Sequence, residues 1–194
     1  HAAAGTFAFL GSPVVWMCFV FFFFTVMAFG ILQNFAAPIF ERSYGLSLAL
    51  ATSGLTAYLL GSAAGTGTGG FFASKSNTQE RNVAIALSVA ALCAAALATG
   101  AAPAWGIVVL MGIMGFGAGF SGPSRDMLIK RAAPPGATGR VYGTVYSGLD
   151  VGFAVSAPAF GWLLDHGRPN AVFVAAAATL ALGVASAGLV AWRV

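Results

Sequence analysis

Charge is what this sequence has least of: Asp, Glu, Lys and Arg together make up 7% of its residues, against about 25% in an ordinary soluble domain. Hydrophobic residues make up 59%. A soluble fold of this size buries only about 70% of the surface that its unfolded chain exposes, so the surplus Phe, Leu, Val and Ala must face something other than water. This excludes a water-soluble globular domain and leaves the lipid bilayer as the medium. Cysteine is nearly absent too. Cys18 and Cys93 both fall in apolar runs, where they act as small hydrophobes, so neither a disulfide nor a cysteine metal site is expected. The chain has no Gly-x-x-x-x-Gly-Lys loop for a nucleotide, and no cofactor is expected. The uncharged run over residues 2–40 is too long for a signal peptide and lacks its basic leader, so it reads as a membrane helix. The first residue is His1 and not Met, which fits a piece of a longer protein.

What is there is a series of long apolar runs separated by turn residues. A hydrocarbon core about 30 Å thick needs about 20 apolar residues per helix. Cutting the chain at charges and at Gly/Pro clusters predicts six spans in one transmembrane domain over residues 1–194: 14–35, 46–72, 82–99, 104–121, 141–164 and 171–192. The expected fold class is all-α, an integral membrane six-helix bundle. Residues 82–124 carry no charge and are too long for one span; Gly100-Ala101-Ala102-Pro103 divides them. The polar stretch from Arg125 to Arg131 is expected to be a loop with a short amphipathic lead-in, broken by Pro134-Pro135-Gly136. Asp165-His166-Gly167-Arg168-Pro169 is the tight connection before the last span.

The net charge of +4 is unevenly placed. Lys75, Arg81, Arg125, Lys130, Arg131, Arg140 and Arg193 fall on one side of this topology, and only Arg42 and Arg168 on the other. Cytoplasmic loops carry the Lys/Arg excess, which puts both chain ends in the cytoplasm and makes the expected location the inner (plasma) membrane. The asymmetry is a topology signal, and nucleic-acid binding is not expected.

At the end of the second span stands Gly70-Phe71-Phe72-Ala73-Ser74-Lys75. This resembles the Gly-x-x-x-Asp-Arg-type loop motif of the major facilitator superfamily, with Ser74 in the acid's place and Lys75 in the Arg's. Members of that family have twelve helices in two six-helix halves, and this chain looks like the second half. Residues 121–152, including Gly122-Pro123-Ser124-Arg125-Asp126-Met127 and Tyr146-Ser147-Gly148-Leu149-Asp150-Val151-Gly152, are similar to its fosmidomycin-resistance-like drug-efflux branch. The resemblance implies a secondary active transporter of a small molecule, working by alternating access and possessing an amino-terminal partner half. The branch implies efflux, and the lack of a nucleotide-binding loop makes a proton gradient the expected energy source. The motif's acid belongs to a charge relay that latches one conformation, and Ser74 does not inherit that role.

Asp150 is the ionisable residue deepest inside any predicted span, about 14 Å past Val141 along a helix. A charge there costs about 3 kcal/mol or more, so such residues usually face a cavity or a partner. Asp150 is therefore a candidate for binding a proton or a cationic substrate group; the alternative is an acid that hydrogen-bonds a neighbouring helix. No cation is expected within any other span. Tyr146, together with the block Phe21-Phe22-Phe23-Phe24, is a candidate for stacking on an apolar ligand, with lipid contact favoured for the block. Gln33 and Asn34 are candidates for hydrogen-bonding a substrate or, preferably, the outer interface. Arg125, Asp126 and Lys75 are candidates for gating contacts, or for anchoring at the head groups. Gly61, Gly65 and Gly69, Gly115 and Gly119, and Gly148 and Gly152 form small-residue stripes for close helix packing.

Two rivals come from other classes. A rhomboid-type intramembrane serine protease has six spans and a Gly-x-Ser-Gly string, matched by Gly119-Phe120-Ser121-Gly122, but no His falls in the sixth span to activate Ser121. No enzyme is expected. The other is a self-sufficient carrier or channel made of two copies of this chain.

Overall fold

Pro13 opens the first helix, at a position where a missing backbone N–H costs nothing. From there a computed structural model describes residues 11–75, 79–132 and 138–193. They form six helices: α1 (Pro13–Arg42), α2 (Leu48–Lys75), α3 (Gln79–Ala98), α4 (Ala104–Ala132), α5 (Thr138–Asp165) and α6 (Pro169–Arg193). All six contain stretches long and apolar enough to cross a bilayer, which makes this a multi-pass membrane protein. Gly100 and Gly167, with φ of 69° and 67°, end α3 and α5 in a left-handed turn that a side chain would resist.

Two helices run further than the sequence pattern indicates. α1 continues through Pro38 to Arg42, and α4 continues through Pro123 to Ala132. Proline within a helix removes one hydrogen bond and bends the axis, yet neighbouring helices hold such a segment together in lipid. Arg125 and Asp126 therefore lie on a helix and not in a loop. The break expected at Pro134-Pro135-Gly136 lies outside the described residues.

The tightest pairing joins α2 to α4. A Cβ on Gly61 would collide with the Gly112 carbonyl oxygen, one on Gly65 with that of Phe116, and one on Gly69 with that of Phe120. In the reverse direction, Gly115 lies against the Tyr58 carbonyl and Gly119 against that of Ser62. Both predicted stripes thus face each other, and glycine is required because each backbone occupies the space of the other's side chains. α5 meets α1 in a looser version: a Cβ on Gly148 would sit 2.8 Å from the Phe19 carbonyl oxygen, and one on Gly152 2.8 Å from that of Phe23.

α3 and α6 pack on each other and on the outer sides of α4 and α1. Large apolar side chains point outward around the bundle, among them Leu60, Leu92, Trp105 and Val174, as lipid-facing surface should. Trp16, Trp105 and Trp162 stand near helix ends, where an amphipathic ring suits the interface. At the α1–α2 turn the Tyr44 hydroxyl donates to the Leu97 carbonyl at 2.6 Å and fastens that turn to the end of α3. Burial pushes the Tyr44 phenol above its ordinary value, so it stays protonated as the donor.

Gly115→Ala should lower the thermal stability of the detergent-purified protein by about 1–3 kcal/mol, because the new methyl meets backbone that cannot turn aside. Gly188→Ala on α6 has open space around it and should be neutral or stabilising by up to about 1 kcal/mol through helix propensity. Equal effects at the two sites, read from unfolding midpoints, would mean that α2 and α4 are not in backbone contact.

Candidate functional site

Four helices, α1, α2, α4 and α5, line an open cavity of about 400 Å³. α2 supplies Tyr58, Ser62 and Thr66 to its wall, spaced one helical turn apart on the flank of the glycine stripe. α1 supplies Val26, Phe29 and Gln33; α5 supplies Leu149 and Phe153. α4 brings Gly119, Gly122 and Pro123 on one side, then Arg125 and Asp126. Since Pro123 has no N–H, the carbonyl of Gly119 loses its helical donor beside the cavity. The result is an apolar chamber with a small set of convergent polar groups, the usual character of a small-molecule site.

Extension of α4 puts the Arg125–Asp126 pair inside the bundle. The Arg125 guanidinium lies over the face of Phe22, 4.4 Å from the ring centroid, a contact worth about 2 kcal/mol when desolvated. Its Nε is buried with no hydrogen-bond partner among the described residues. The Asp126 side chain points elsewhere. Its carboxylate accepts a hydrogen bond from the Tyr146 hydroxyl at 3.1 Å, while its backbone carbonyl accepts one from Tyr142 at 2.9 Å. Tyr142 and Tyr146 stack with centroids 5.7 Å apart, and Tyr146 meets Phe22 edge-on at 5.6 Å. The two adjacent residues therefore serve different neighbours: Asp126 ties α4 to α5, and Arg125 leans on α1.

These contacts alter several expectations. A cation does lie within a span, since α4 is apolar enough to cross the membrane as far as Met127. Half of the phenylalanine block is not at the lipid: Phe21 and Phe22 are buried, and Phe22 carries both Arg125 and Tyr146. Gln33 lines the cavity together with Tyr58, which is 1% exposed. Asn34 turns back on its own helix, donating to the Gly30 carbonyl at 2.9 Å. Lys75 also stays local, its Nζ 4.0 Å from the centroid of the Phe71 ring. Tyr58, Ser62, Thr66 and Tyr142 went unremarked in the sequence, although the spacing of the first three was a usable signal.

Asp150 takes no part in these contacts. Gly148 and Gly152 face α1, and Asp150, nearly half a turn round from Gly148, is exposed on the outward side of α5. It makes no hydrogen bond or ion pair with another described residue. Ser121 is buried and its hydroxyl donates to the Ala118 carbonyl at 2.9 Å, while His166 sits in the α5–α6 turn on the Trp162 carbonyl. Nothing in that arrangement activates a serine.

A sequence-family model of the Major Facilitator Superfamily matches residues 15–194. The chain belongs to this superfamily. A search of the curated proteins finds no match. Among solved structures, the chain is similar to a crystal structure of a POT family transporter in complex with a thioalcohol-conjugated peptide, with a TM-score of 0.79 and 16% identity. The match covers 90% of this chain and 37% of that one, so this major facilitator chain spans well under half the length of its structural neighbour. At that identity the likeness is one of fold.

A double-mutant cycle on Tyr146→Phe and Asp126→Ala should return a coupling of about 1.5 kcal/mol in unfolding free energy, the size of a hydrogen bond to a charged acceptor. Additive losses would mean that the α4–α5 tie is not made in the folded protein.

Proposed function

We propose that this chain is the carboxyl-terminal six-helix half of a secondary active transporter that moves a small molecule across the membrane by alternating access. The observation that carries the proposal is the cavity walled by α1, α2, α4 and α5, with Gln33, Tyr58, Arg125 and Asp126 converging on it inside a major facilitator bundle. Two bundles rocking about such a chamber would expose it to each side of the membrane in turn. With Arg125 on α4, the remaining basic residues still fall mostly on one side, Lys75, Arg81, Lys130, Arg131, Arg140 and Arg193 against Arg42 and Arg168, which supports cytoplasmic chain ends.

Asp150 supports both the half role and proton coupling. It lies about 18 Å from the start of α5, near the middle of the helix, with its carboxyl on an outward face. A carboxylate facing hydrocarbon at that depth costs about 3 kcal/mol or more, which a protein neighbour or protonation relieves. The amino-terminal half is that neighbour, and a proton carried on Asp150 couples the gradient to the rocking motion. The resemblance of residues 121–152 to a drug-efflux branch favours outward movement of an amphipathic molecule, and the loss of the motif acid at Ser74 means that any latch on this side is built from other groups.

An antibody against the last residues, Trp192-Arg193-Val194, should detect in native membranes a band about twice the 19.6 kDa of this chain. A band at this chain's own size would replace the half-transporter with a pair of six-helix subunits. In proteoliposomes of the full-length protein, Asp150→Asn should abolish pH-gradient-driven flux of amphipathic dyes while leaving the unfolding midpoint unchanged. Undiminished flux in that variant would remove Asp150 from the coupling step.

A further inference from the structure

We infer that Arg125 is the binding group for an organic anion, a carboxylate with an apolar body, and that Asp126 is held off it by Tyr146. This names the substrate class of the cavity just described and rests on the transporter reading of it.

A guanidinium within a membrane-spanning helix is costly, and the usual relief is a carboxylate at ion-pair distance. None is supplied here. Among the described residues Arg125 forms no ion pair, even though Asp126 is its neighbour in sequence. The reason is visible at α5: the Tyr146 hydroxyl draws the Asp126 carboxylate to 3.1 Å, and the Tyr142 hydroxyl pins the same residue's carbonyl. The cation is left with one face on the Phe22 ring and with a buried Nε that has no hydrogen-bond partner among the described residues.

The place of the Arg125 guanidinium on the cavity wall gives the site its chemistry. The two terminal NH2 groups of a guanidinium form a fork that matches the two oxygens of a carboxylate, and such bidentate, charge-assisted bonds are the strong ones. Arg125 lines the same cavity as Phe29, Leu149 and Phe153, which offer apolar wall to the remainder of the ligand, and as Gln33 and Tyr58, which offer polar contacts. A cationic ligand is disfavoured next to Arg125, and a neutral one would leave the fork unfilled. Occupancy by the anion supplies a hydrogen-bonded countercharge when the cavity is loaded, and its departure leaves the guanidinium on the Phe22 ring.

The test is equilibrium binding of radiolabelled benzoate to the full-length protein in detergent, competed with unlabelled benzoate and with uncharged benzamide. Benzoate should compete and benzamide should not. Arg125→Gln should weaken benzoate binding by about tenfold or more, and Arg125→Lys by less. Tyr146→Phe frees Asp126 to turn toward Arg125 and should weaken binding with Arg125 intact. Asp126→Asn removes the competing charge and should tighten it. These opposite signs at 146 and 126 are not expected of residues that only hold the fold, whose substitutions would move stability and leave affinity alone. Benzoate and benzamide competing equally, no benzoate binding at all, or affinity unmoved in Asp126→Asn would each overturn the proposal. Dye flux that persists and still depends on Asp150 would then leave the transporter standing with a different class of substrate.

Discussion

Helices α2 and α4 approach until each backbone fills the place of the other's side chains, and the rest of the bundle is arranged around that contact. In lipid there is no hydrophobic drive to bring two apolar helices together, so association rests on van der Waals packing and on the backbone proximity that small residues permit. Gly61, Gly65 and Gly69 against Gly112, Phe116 and Phe120, answered by Gly115 and Gly119 against Tyr58 and Ser62, give a contact with no side chain between the axes. Its rigidity fixes the rotation of both helices. Tyr58, Ser62 and Thr66 are thereby presented on one flank of α2, and Pro123, Arg125 and Asp126 on the matching flank of α4.

α1 and α5 close the chamber through a softer joint. Gly148 and Gly152 bring α5 onto α1 less closely than α2 meets α4. Direct contact between α4 and α5 is slight along their lengths, and it is made through hydroxyl groups at Tyr142 and Tyr146. A tie of one or two hydrogen bonds can be broken and remade at modest cost, whereas interlocked backbones cannot slide without separating. The bundle thus combines a fixed pair, α2 with α4, and a pair joined to it by polar contacts beside the cavity.

Electrostatics give that polar corner its character. Arg125 and Asp126 are adjacent in sequence and oppositely charged, yet they form no ion pair, because one is engaged by an aromatic face on α1 and the other by a phenol on α5. Separation of the two charges costs energy in a low-dielectric interior. Asp150, by contrast, is exposed on α5 one turn from Tyr146, and this chain provides it with no partner among the described residues. Two acids one helix apart therefore have different surroundings: one is tied inside this bundle, the other is turned toward whatever covers the bundle.

The sequence by itself determined the medium, the class and the number of helices, because hydropathy over about 20 residues depends on composition and needs no tertiary partner. The glycine stripes and the turns at Gly100 and Gly167 were legible for a similar reason: spacing on a helix and a preference for positive φ are local properties. Where α4 ends was not legible, since Pro123 breaks a helix in isolation and is overridden only by neighbours that hold the segment in place. That override carried Arg125 and Asp126 from an expected loop into the cavity. Which polar residues meet was likewise decided by tertiary structure alone. It depends on the rotation of each helix about its own axis and on the distance between axes, and a periodic sequence leaves both open until backbone meets backbone.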